Sequence, residues 1–296
     1  MIMNSFKKVE IDDKIWCDEL LESSVCPSLE YNFTTMFIWG DIYSTKIREH
    51  NNNMIVKFGK DSNLFLFPVG NGDIKGSIDW ILSENKNVKF GGLVEENVEF
   101  LKANYPDRFE FSEDRNMSDY IYKSEDLREL KGKKLSSKRN HINRFIENNP
   151  DWSYEEISEK NIDEVDKMHD EWCKSLIEYN TQGLIDEGKA VKKAIKYYKE
   201  LGLSGGVIRA NGKIVAFSMG DRLNDDTFLV HIEKAFYDIQ GAYPMINKQF
   251  VIANCDEFQY VNREEDAGDE GLRKAKLSYR PHIILRKFYA KDIKGE

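Results

Sequence analysis

Cysteine, proline and long apolar runs are all scarce in this chain of 296 residues. Its four cysteines have spacings that fit neither a paired CxxC metal site nor a disulfide framework. The longest stretch without a charged side chain is residues 62–72, eleven residues, whereas a membrane-spanning helix needs about 20 apolar ones. The first residues include no apolar segment of the kind that a secretory signal requires. We therefore expect a soluble, cytoplasmic protein with reduced thiols and no transmembrane segment.

The signature motifs of several enzyme classes are also missing. The sequence has no GxxxxGK[ST] phosphate loop, no GxSxG nucleophile elbow, no HExxH zinc motif and no GxGxxG after a predicted strand. His169 and Cys173 are four residues apart on a predicted helix, but a metal site needs a third and a fourth ligand. We expect no metal site and no covalently bound cofactor.

What the chain does have is a globular composition, with 41% hydrophobic, 32% charged and 12% aromatic residues. This composition excludes collagen-like and fully disordered proteins. Its length fits two domains of ordinary size, at about 100–200 residues each.

The net charge of −9 is distributed unevenly along the sequence. Residues 131–144 include six basic side chains and no acidic one, and residues 271–291 include seven and none. A cationic segment of this kind can bind nucleic acid, a lipid headgroup or a nucleotide diphosphate, or it can form a solvated helix face. The sequence leaves both interpretations open for each segment.

Hydrophobic periodicity and turn signals predict two mixed α/β domains joined by a linker. Residues 1–125 form the first domain, residues 126–150 a basic helical linker that Pro150 ends, and residues 151–296 the second domain. The second domain is predicted to contain two amphipathic helices and a hairpin with an Asn211–Gly212 turn. The elements that follow are a strand over 226–235, a helix over 245–255, a strand over 257–262, a short helix over 269–279 and a strand over 282–289.

This order of elements resembles the fold of the GCN5-related acyltransferases. The predicted fold class is therefore mixed α/β (α+β), with two such domains in tandem. In that superfamily the loop after the fourth strand reads Q/R-x-x-G-x-G/A, and its amides bind the pyrophosphate of acetyl-CoA. Here Gly241 is present, but Asp238 replaces the expected Gln or Arg, and Tyr243 and Pro244 follow. Because a carboxylate opposes pyrophosphate binding, we regard the acetyl-CoA motif as broken.

Three segments carry a closer resemblance: 130–150 (LKGKKLSSKRNHINRFIENNP), 237–247 (YDIQGAYPMIN) and 262–281 (NREEDAGDEGLRKAKLSYRP). They resemble soluble members of the phosphatidylglycerol lysyltransferase C-terminal domain family, over essentially the whole chain. The resemblance implies transfer of an aminoacyl group from aminoacyl-tRNA to an amine or hydroxyl acceptor. The expected partners are tRNA and an acceptor that is a small molecule or a lipid headgroup. Two alternatives stay open: an N-acyltransferase that uses acyl-CoA through an altered loop, and a non-catalytic ligand-binding protein.

Aminoacyl transfer needs a proton acceptor and an anchor for an anionic group. Arg263 follows the strand over 257–262, where its side chain can enter a cleft and bind a phosphate or carboxylate. One of the three acids after it is expected to accept the proton, unless all three cap the next helix: Glu264, Glu265 and Asp266. Glu233 is a further catalytic candidate, on the same predicted strand face as His231.

The remaining candidates lie around the loop, on the short helix and in the linker. Gly241, Tyr243 and Asn247 are candidate substrate-binding residues at the start of the helix after the loop. Lys274 and Lys276 either contact substrate or, with Arg273, pair with the neighbouring acids. Three linker residues either bind nucleic acid or phosphate or bridge the domains: Lys138, Arg139 and Arg144. The whole site requires that the sheet of the second domain opens a V-shaped gap and that the acid-rich corner at Arg263 faces into it.

Overall fold

The computed structural model describes residues 5–175 and 181–295. This part of the chain divides into two compact units. The first unit comprises the chain up to Asp119 together with residues 265–270 and 284–296. The second unit comprises residues 120–264 and 271–283. Among the described helices, none combines the length and the apolar character that spanning a bilayer requires.

The first unit is built on one mixed sheet. Its strands are β1 (Lys7–Lys8), β2 (Lys46–His50), β3 (Asn53–Phe58), β4 (Leu64–Leu66), β5 (Val69–Gly70), β6 (Lys89–Leu93), β7 (Phe109–Glu113) and β15 (Phe288–Asp292). They lie in the order β1–β2–β3–β4–β6–β15–β7, and β5 pairs with β3. The pairs are antiparallel except that β4 runs parallel to β6.

The helices of the first unit are α1 (Lys14–Leu21), α2 (Phe33–Ile38), α3 (Ile74–Glu84) and α4 (Glu95–Asn104). Ile78 and Ile81 of α3 and Leu101 of α4 are fully buried against Phe65 and Phe90 of the sheet. The apolar side chains of α3 and α4 therefore cover one face of the sheet, as their helical spacing requires.

The second unit contains the other sheet. Its strands are β8 (Asp119–Lys123), β9 (Ser153–Glu156), β10 (Ser204–Ala210), β11 (Lys213–Arg222), β12 (Thr227–Ala235), β13 (Tyr260–Asn262) and β14 (Ile283–Leu285). They lie in the order β14–β8–β13–β12–β11–β10–β9. β12 and β13 are parallel, whereas β9 to β12 pair with their neighbours antiparallel and β13 pairs antiparallel with β8. The predicted hairpin turns at Asn211–Gly212, between β10 and β11.

The helices of the second unit include the segment predicted as a linker. They are α5 (Ser124–Glu129), α6 (Ser136–Asn148), α7 (Ile162–Ser175), α8 (Gln182–Lys196), α9 (Tyr198–Leu201), α10 (Ala242–Asn254) and α11 (Glu270–Leu277). Leu127, Ile142 and Phe145 of α5 and α6 are buried in the same core as Phe250 of α10. The predicted domain boundaries at 125 and 150 therefore differ from the compact units, because the apolar stripe of this segment packs into the second core.

The predicted strand over 282–289 is in fact two strands, β14 and β15. β15 inserts between β6 and β7 of the first sheet, where Ala290 pairs with Phe90 and with Phe111. The end of the chain consequently belongs to the first unit. A prediction that divides the sequence into two consecutive domains cannot show that a strand from the last residues joins the sheet of the first unit.

Candidate active site

Strands β12 and β13 separate partway along β12, and this opens a gap in the second sheet. Their parallel pairing covers three residue pairs and ends with Leu229 opposite Asn262. β12 continues to Ala235, where β11 is its one partner among the described strands. Beyond β13 the chain stays beside β8, and the Arg263 amide donates to the Tyr120 carbonyl at 3.0 Å. The predicted gap is therefore present, with Arg263 where the strands diverge.

The Arg263 side chain crosses this gap to β12. Its Nη2 donates to Oε1 of Glu233 at 2.8 Å, and Nδ2 of Asn247 donates to the other carboxylate oxygen at 2.8 Å. The side chains of Arg263 and Glu233 are only 10% and 12% exposed. Burial disfavours the charged guanidinium, but the Glu233 carboxylate outweighs this effect and raises the pKa of Arg263. Three predicted site residues thus form one buried, charged cluster.

Lys138 of α6 points into the same cluster. It precedes Ile142 by four residues and shares that residue's core-facing side of the helix. Its Nζ lies 4.0 Å from the centre of the Tyr279 ring, and the Arg263 guanidinium carbon lies 4.7 Å from that centre. Burial, reinforced by the Arg263 charge, lowers the pKa of Lys138 to about 8. The cluster therefore contains two cations, on Lys138 and Arg263, and one carboxylate, on Glu233.

A second buried ion cluster lies beside the first. The His231 side chain is 1% exposed, with Nδ1 3.0 Å from Glu264 Oε1 and Nε2 3.0 Å from Asp221 Oδ1. Burial alone would lower the pKa of His231, but the two carboxylates outweigh it and raise the pKa to about 10. His231 is therefore an imidazolium at neutral pH and donates from both ring nitrogens.

β12 is irregular at His231. Met219 of β11 pairs with Ile232 and Gly220 pairs with Val230, which leaves His231 as an extra residue in β12. Such a β-bulge re-aims a side chain and is common beside active sites. The sequence analysis assumed a regular strand in which His231 and Glu233 alternate. The bulge replaces that geometry, yet both side chains contact the segment that follows β13.

Two buried polar atoms of the cluster have no hydrogen-bond partner among the described residues: Nη1 of Arg263 and Oδ1 of Asn247. The first is a donor and the second an acceptor. Asn247 is 1% exposed, so bulk water does not take the place of a partner. Because buried polar groups are nearly always paired with protein or ordered water, these two atoms mark a place where a small polar molecule, water or ligand, can bind.

Two of the predicted catalytic acids, Glu265 and Asp266, lie in the first unit. Asp266 is fully buried, and its Oδ1 accepts from the Gly268 amide at 2.9 Å. Its carbonyl oxygen accepts from the Asp269 amide at 2.8 Å. The structure thus gives Asp266 the alternative role of building the turn before α11. Glu264, by contrast, contacts His231 on β12.

The two predicted lysines of α11 are placed differently from each other. Lys276 is buried, and its Nζ donates to the Arg263 carbonyl at 2.6 Å. Its own carbonyl oxygen accepts from the Tyr122 hydroxyl at 2.8 Å. Lys276 therefore fixes the backbone that presents Arg263, whereas Lys274 is exposed on the helix surface.

The loop that ends at Gly241 is covered by the chain itself. Gly241 has a φ of 85°, and a Cβ there would lie 2.2 Å from the His141 carbonyl oxygen of α6. The Ala242 amide already donates to the Ile239 carbonyl at 3.1 Å, and Pro244 has no amide hydrogen. Gly241 is thus required for close packing against α6. The half-buried Tyr243 packs against the core of the unit, and burial raises the pKa of its hydroxyl.

The other two basic residues predicted in the linker have distinct positions. Arg139 donates through Nη1 to the carbonyl oxygens of Leu130 and Gly132, the latter at 2.8 Å. Leu130 has a left-handed backbone with a φ of 52°, so Arg139 stabilises the turn before α6. Arg144 is exposed on the outer face of α6.

Sequence reasoning missed Asp221 and Tyr122. Tyr122 lies beneath the Arg263 guanidinium, 5.6 Å from ring centre to guanidinium carbon, and Asp221 reaches His231 only through the register of β11 on β12. The sequence does indicate that Lys138 lies on the buried side of its helix, because Ile142 and Phe145 follow it by four and seven residues. No comparable local pattern in the sequence indicates Asp221 or Tyr122.

The arrangement offers three chemical capabilities beside one gap. It provides charged groups of both signs that are shielded from bulk water, an unpaired donor and acceptor, and the Glu264 carboxylate, which a charged imidazolium holds in place. Sites that stabilise developing negative charge in a water-poor environment combine such groups.

Comparison with known proteins gives this geometry a family context. The model of the family described as "Phosphatidylglycerol lysyltransferase, C-terminal" matches residues 25–291. A crystal structure of a conserved protein of unknown function from Bacteroides thetaiotaomicron is 39% identical, covers 98% of this chain and 100% of that chain, and has a TM-score of 0.93.

More distant relatives extend the comparison. The structure of L-PGS from Bacillus licheniformis is 16% identical, with 99% of this chain and 95% of that chain covered and a TM-score of 0.67, which is a likeness of fold. An uncharacterised protein from Mycoplasmoides gallisepticum is 23% identical over 237 residues, 74% of this chain and 70% of that protein. The predicted mixed α+β fold class is confirmed, with one sheet in each of the two units.

Proposed function

This chain belongs to the phosphatidylglycerol lysyltransferase C-terminal family, and on that premise we propose that it transfers an aminoacyl group from aminoacyl-tRNA to an amine or hydroxyl acceptor. The observation that carries the proposal is the Arg263–Glu233–Asn247 cluster at the gap between β12 and β13. It combines buried charge with an unpaired donor and an unpaired acceptor, as a polar substrate requires.

The reaction has a defined balance of bonds and protons. The acceptor's nitrogen or oxygen attacks the ester carbonyl, a new amide or ester bond forms, and the bond to the tRNA ribose oxygen breaks. The proton that the acceptor loses must reach that ribose oxygen, so a base close to the gap is needed.

Glu264 is the acid that fits this role. Glu233 has both carboxylate oxygens engaged, one by Arg263 and one by Asn247. Glu264 has Oε1 engaged by the His231 imidazolium, and in the described contacts its Oε2 is left for a substrate proton. Its side chain is 17% exposed, which is compatible with access from the gap. Asn247 Oδ1 suits the ammonium group of the donor amino acid.

Two further observations favour aminoacyl-tRNA over acyl-CoA as the donor. The loop at Gly241 is occupied by the backbone of α6 and retains few amides for a pyrophosphate. Lys133, Lys134 and Arg144 are exposed on the segment that also carries Lys138, and exposed cations of this kind bind the phosphates of nucleic acid.

The test is an assay of ester-bond loss. The full chain is incubated with total tRNA charged with a mixture of radiolabelled amino acids, with glycine as an amine acceptor and sn-glycerol 3-phosphate as a hydroxyl acceptor. We expect faster loss of ester-bound label, and Glu264→Gln should slow it by about a hundredfold or more, as removal of a general base does. Glu257→Gln, an exposed acid of the same unit, is the matched control.

Binding provides the second readout. Affinity for tRNA should fall steeply with salt concentration, because cationic contacts release counterions. Unchanged ester loss together with an absence of tRNA binding at low salt would contradict the proposal. Stabilisation by acetyl-CoA, which should reach about 2.7 kcal/mol at a hundredfold excess over Kd, would instead support the acyl-CoA alternative.

A further inference from the structure

The first unit carries a row of lysines across three neighbouring strands. Lys8 of β1 lies opposite Lys46 of β2, and Lys46 lies opposite Lys57 of β3. Directly opposed residues of antiparallel strands point to the same face of a sheet, and like charges in such a pair are destabilising. Asp41 compensates Lys8 at 2.5 Å. Among the described residues, no carboxylate lies within salt-bridge distance of Lys46 or Lys57, so the chain leaves the repulsion between them uncompensated.

A third cation lies beside this pair. Arg48 follows Lys46 by two residues on β2 and so points to the same face of the sheet. Arg48 makes no ion pair or side-chain hydrogen bond with any described residue, and its Nε is buried in that state. Lys57 donates to the side-chain oxygen of Asn63, a neutral acceptor, at 2.9 Å. Three partly exposed cations therefore share one face of the sheet.

Aromatic rings lie among these cations. The Arg48 guanidinium carbon is 4.5 Å from the centre of the Trp80 ring, and the His50 ring stacks on the same indole at 4.4 Å. Lys57 Nζ lies 5.9 Å from the centre of the Phe6 ring, which is 6.3 Å from that of Trp80. Burial and the Arg48 charge lower the pKa of His50, so its ring is neutral at pH 7. All three rings are partly exposed.

These side chains form one cationic and aromatic surface, the β2 patch, which comprises Phe6, Lys46, Arg48, His50, Lys57 and Trp80. Because the whole chain has a net charge of −9, a polyanion is repelled by most of the protein and attracted where cations lack partners. Unpaired cations interleaved with accessible rings are the combination that binds single-stranded nucleic acid. A duplex hides the faces of its bases, so it cannot use the rings.

We propose that the β2 patch binds a single-stranded segment of RNA, with Lys46, Arg48 and Lys57 on its phosphates and the rings against its bases. Binding of a single strand follows from the patch alone, whereas the choice of RNA over DNA rests on the proposed function, whose donor is a tRNA. Arg48 Nε supplies a charged donor for a phosphate oxygen, and a phosphate between the two opposed lysines relieves their repulsion. The inference adds a nucleic-acid contact in the first unit, whereas the gap belongs to the second.

Fluorescence anisotropy with the full chain and a labelled oligouridine of about eight nucleotides, a length that one small domain can bind, tests this inference. The slope of log K against log salt concentration should be about −2, because each of three phosphate contacts on a single strand contributes about −0.7. A blunt RNA duplex of the same length should bind about tenfold more weakly or less. Equal or tighter binding of the duplex would contradict the role of the rings, and tighter binding of an oligothymidine would overturn the assignment to RNA.

Lys46→Gln separates a binding role from a structural one. It removes one of two opposed lysines, so the free energy of unfolding should not fall, yet it should weaken oligouridine binding about fivefold and make the salt slope shallower by about 0.7. Arg48→Gln should have the same effect on binding. The matched control is Lys89→Gln, an exposed lysine of the same sheet. Its neighbour Phe90 points into the core, so Lys89 lies on the opposite face from Lys57, which pairs with the buried Phe65. The control should bind as the wild type does.

The outcomes also separate this inference from the proposed function. If the wild type binds no oligouridine at low salt, or if folded Lys46→Gln and Arg48→Gln bind it as tightly as the wild type, the inference is wrong. Oligouridine binding through the β2 patch by a chain that leaves aminoacyl-tRNA intact would retain the patch and overturn the proposed function. Ester loss by a chain that binds no oligouridine would do the reverse.

Discussion

Arg263 Nη2 and Glu233 Oε1 are 2.8 Å apart, and this contact joins two strands at a point where their backbones no longer pair. β13 has ended one residue before Arg263, and Glu233 lies four residues beyond the last paired position of β12. The ion pair thus replaces the missing backbone hydrogen bonds across the gap. It also holds a charged surface inside the unit, where a hydrophobic contact would have closed the gap to polar substrates.

Removing one partner of this pair should be costly for stability. Glu233→Gln leaves the Arg263 guanidinium buried beside Lys138 without a carboxylate, and the free energy of unfolding should fall by about 3–5 kcal/mol. Arg263→Met should lower the free energy of unfolding by a comparable amount, whereas the double variant Glu233→Gln/Arg263→Met should be less destabilised than the sum of the two single variants. Urea unfolding of the four proteins gives the coupling free energy directly.

The control for this cycle is the exposed pair of Lys199 and Glu159, with side chains 83% and 84% exposed. Their coupling should be about 0–1 kcal/mol. Strict additivity at Arg263 and Glu233 would show that the contact contributes nothing beyond its separate side chains and would contradict the prediction.

The charge on His231 should make stability depend on pH. The pKa of His231 is about 10 in the folded chain and about 6.5 in an unfolded one, so the folded state holds its proton more tightly. The stabilisation is complete below about pH 6.5 and is lost as pH rises through about 10, with a slope of up to about 1.4 kcal/mol per pH unit.

The measurement compares the wild type with His231→Gln by urea unfolding between pH 6.5 and 10. The difference in unfolding free energy should shrink steadily over this interval, because the variant has no proton to lose at this position. A constant difference would mean that the imidazole is neutral in the folded state and that Asp221 and Glu264 do not hold it charged.

Much of the fold was accessible from the sequence because local signals coincide with the elements. The Asn211–Gly212 turn, the apolar stripes of the helices and the stop at Pro150 predicted elements that the structure contains. The placement of β15 was not accessible, since nothing near Phe288 indicates which sheet the strand joins. That choice depends on the space between β6 and β7, which only the folded first unit defines.

The candidate site could be predicted from the sequence to a similar extent. Arg263 and Glu233 were predicted separately, as an anchor and a base, and the structure shows them bound to each other. The difference arises because pairing across the gap depends on strand register, which has no local signature. Asp266 illustrates the same limit: the sequence left open whether its carboxylate acts in catalysis or caps the next helix, and in the structure it accepts from the Gly268 amide in the turn before α11.

Lys287 of the first unit provides a prediction that is independent of the site. Its side chain is 1% exposed, and its Nζ contacts the Glu30 carboxylate and lies 3.2 Å from Asp119 Oδ1. Lys287→Met would leave two buried carboxylates facing each other, so the free energy of unfolding should fall by about 3–5 kcal/mol. Lys291→Met, at an exposed position of β15, should change it by about 0.5 kcal/mol or less. Equal effects of the two variants in urea unfolding would refute the proposed importance of the buried contact.

Gly241 and Gly212 form a matched pair for the loop at the start of α10. Both have positive φ, 85° and 73°, but a Cβ at Gly212 meets nothing within 4 Å, whereas one at Gly241 meets the His141 carbonyl oxygen at 2.2 Å. Gly212→Ala should therefore lower the free energy of unfolding by about 1–2 kcal/mol, the strain of a left-handed alanine. Gly241→Ala should add about 1–3 kcal/mol of steric cost, because α6 must move away. If urea unfolding gave equal losses for both, α6 would not be packed tightly on this loop, and the argument that it excludes a pyrophosphate there would lose its basis.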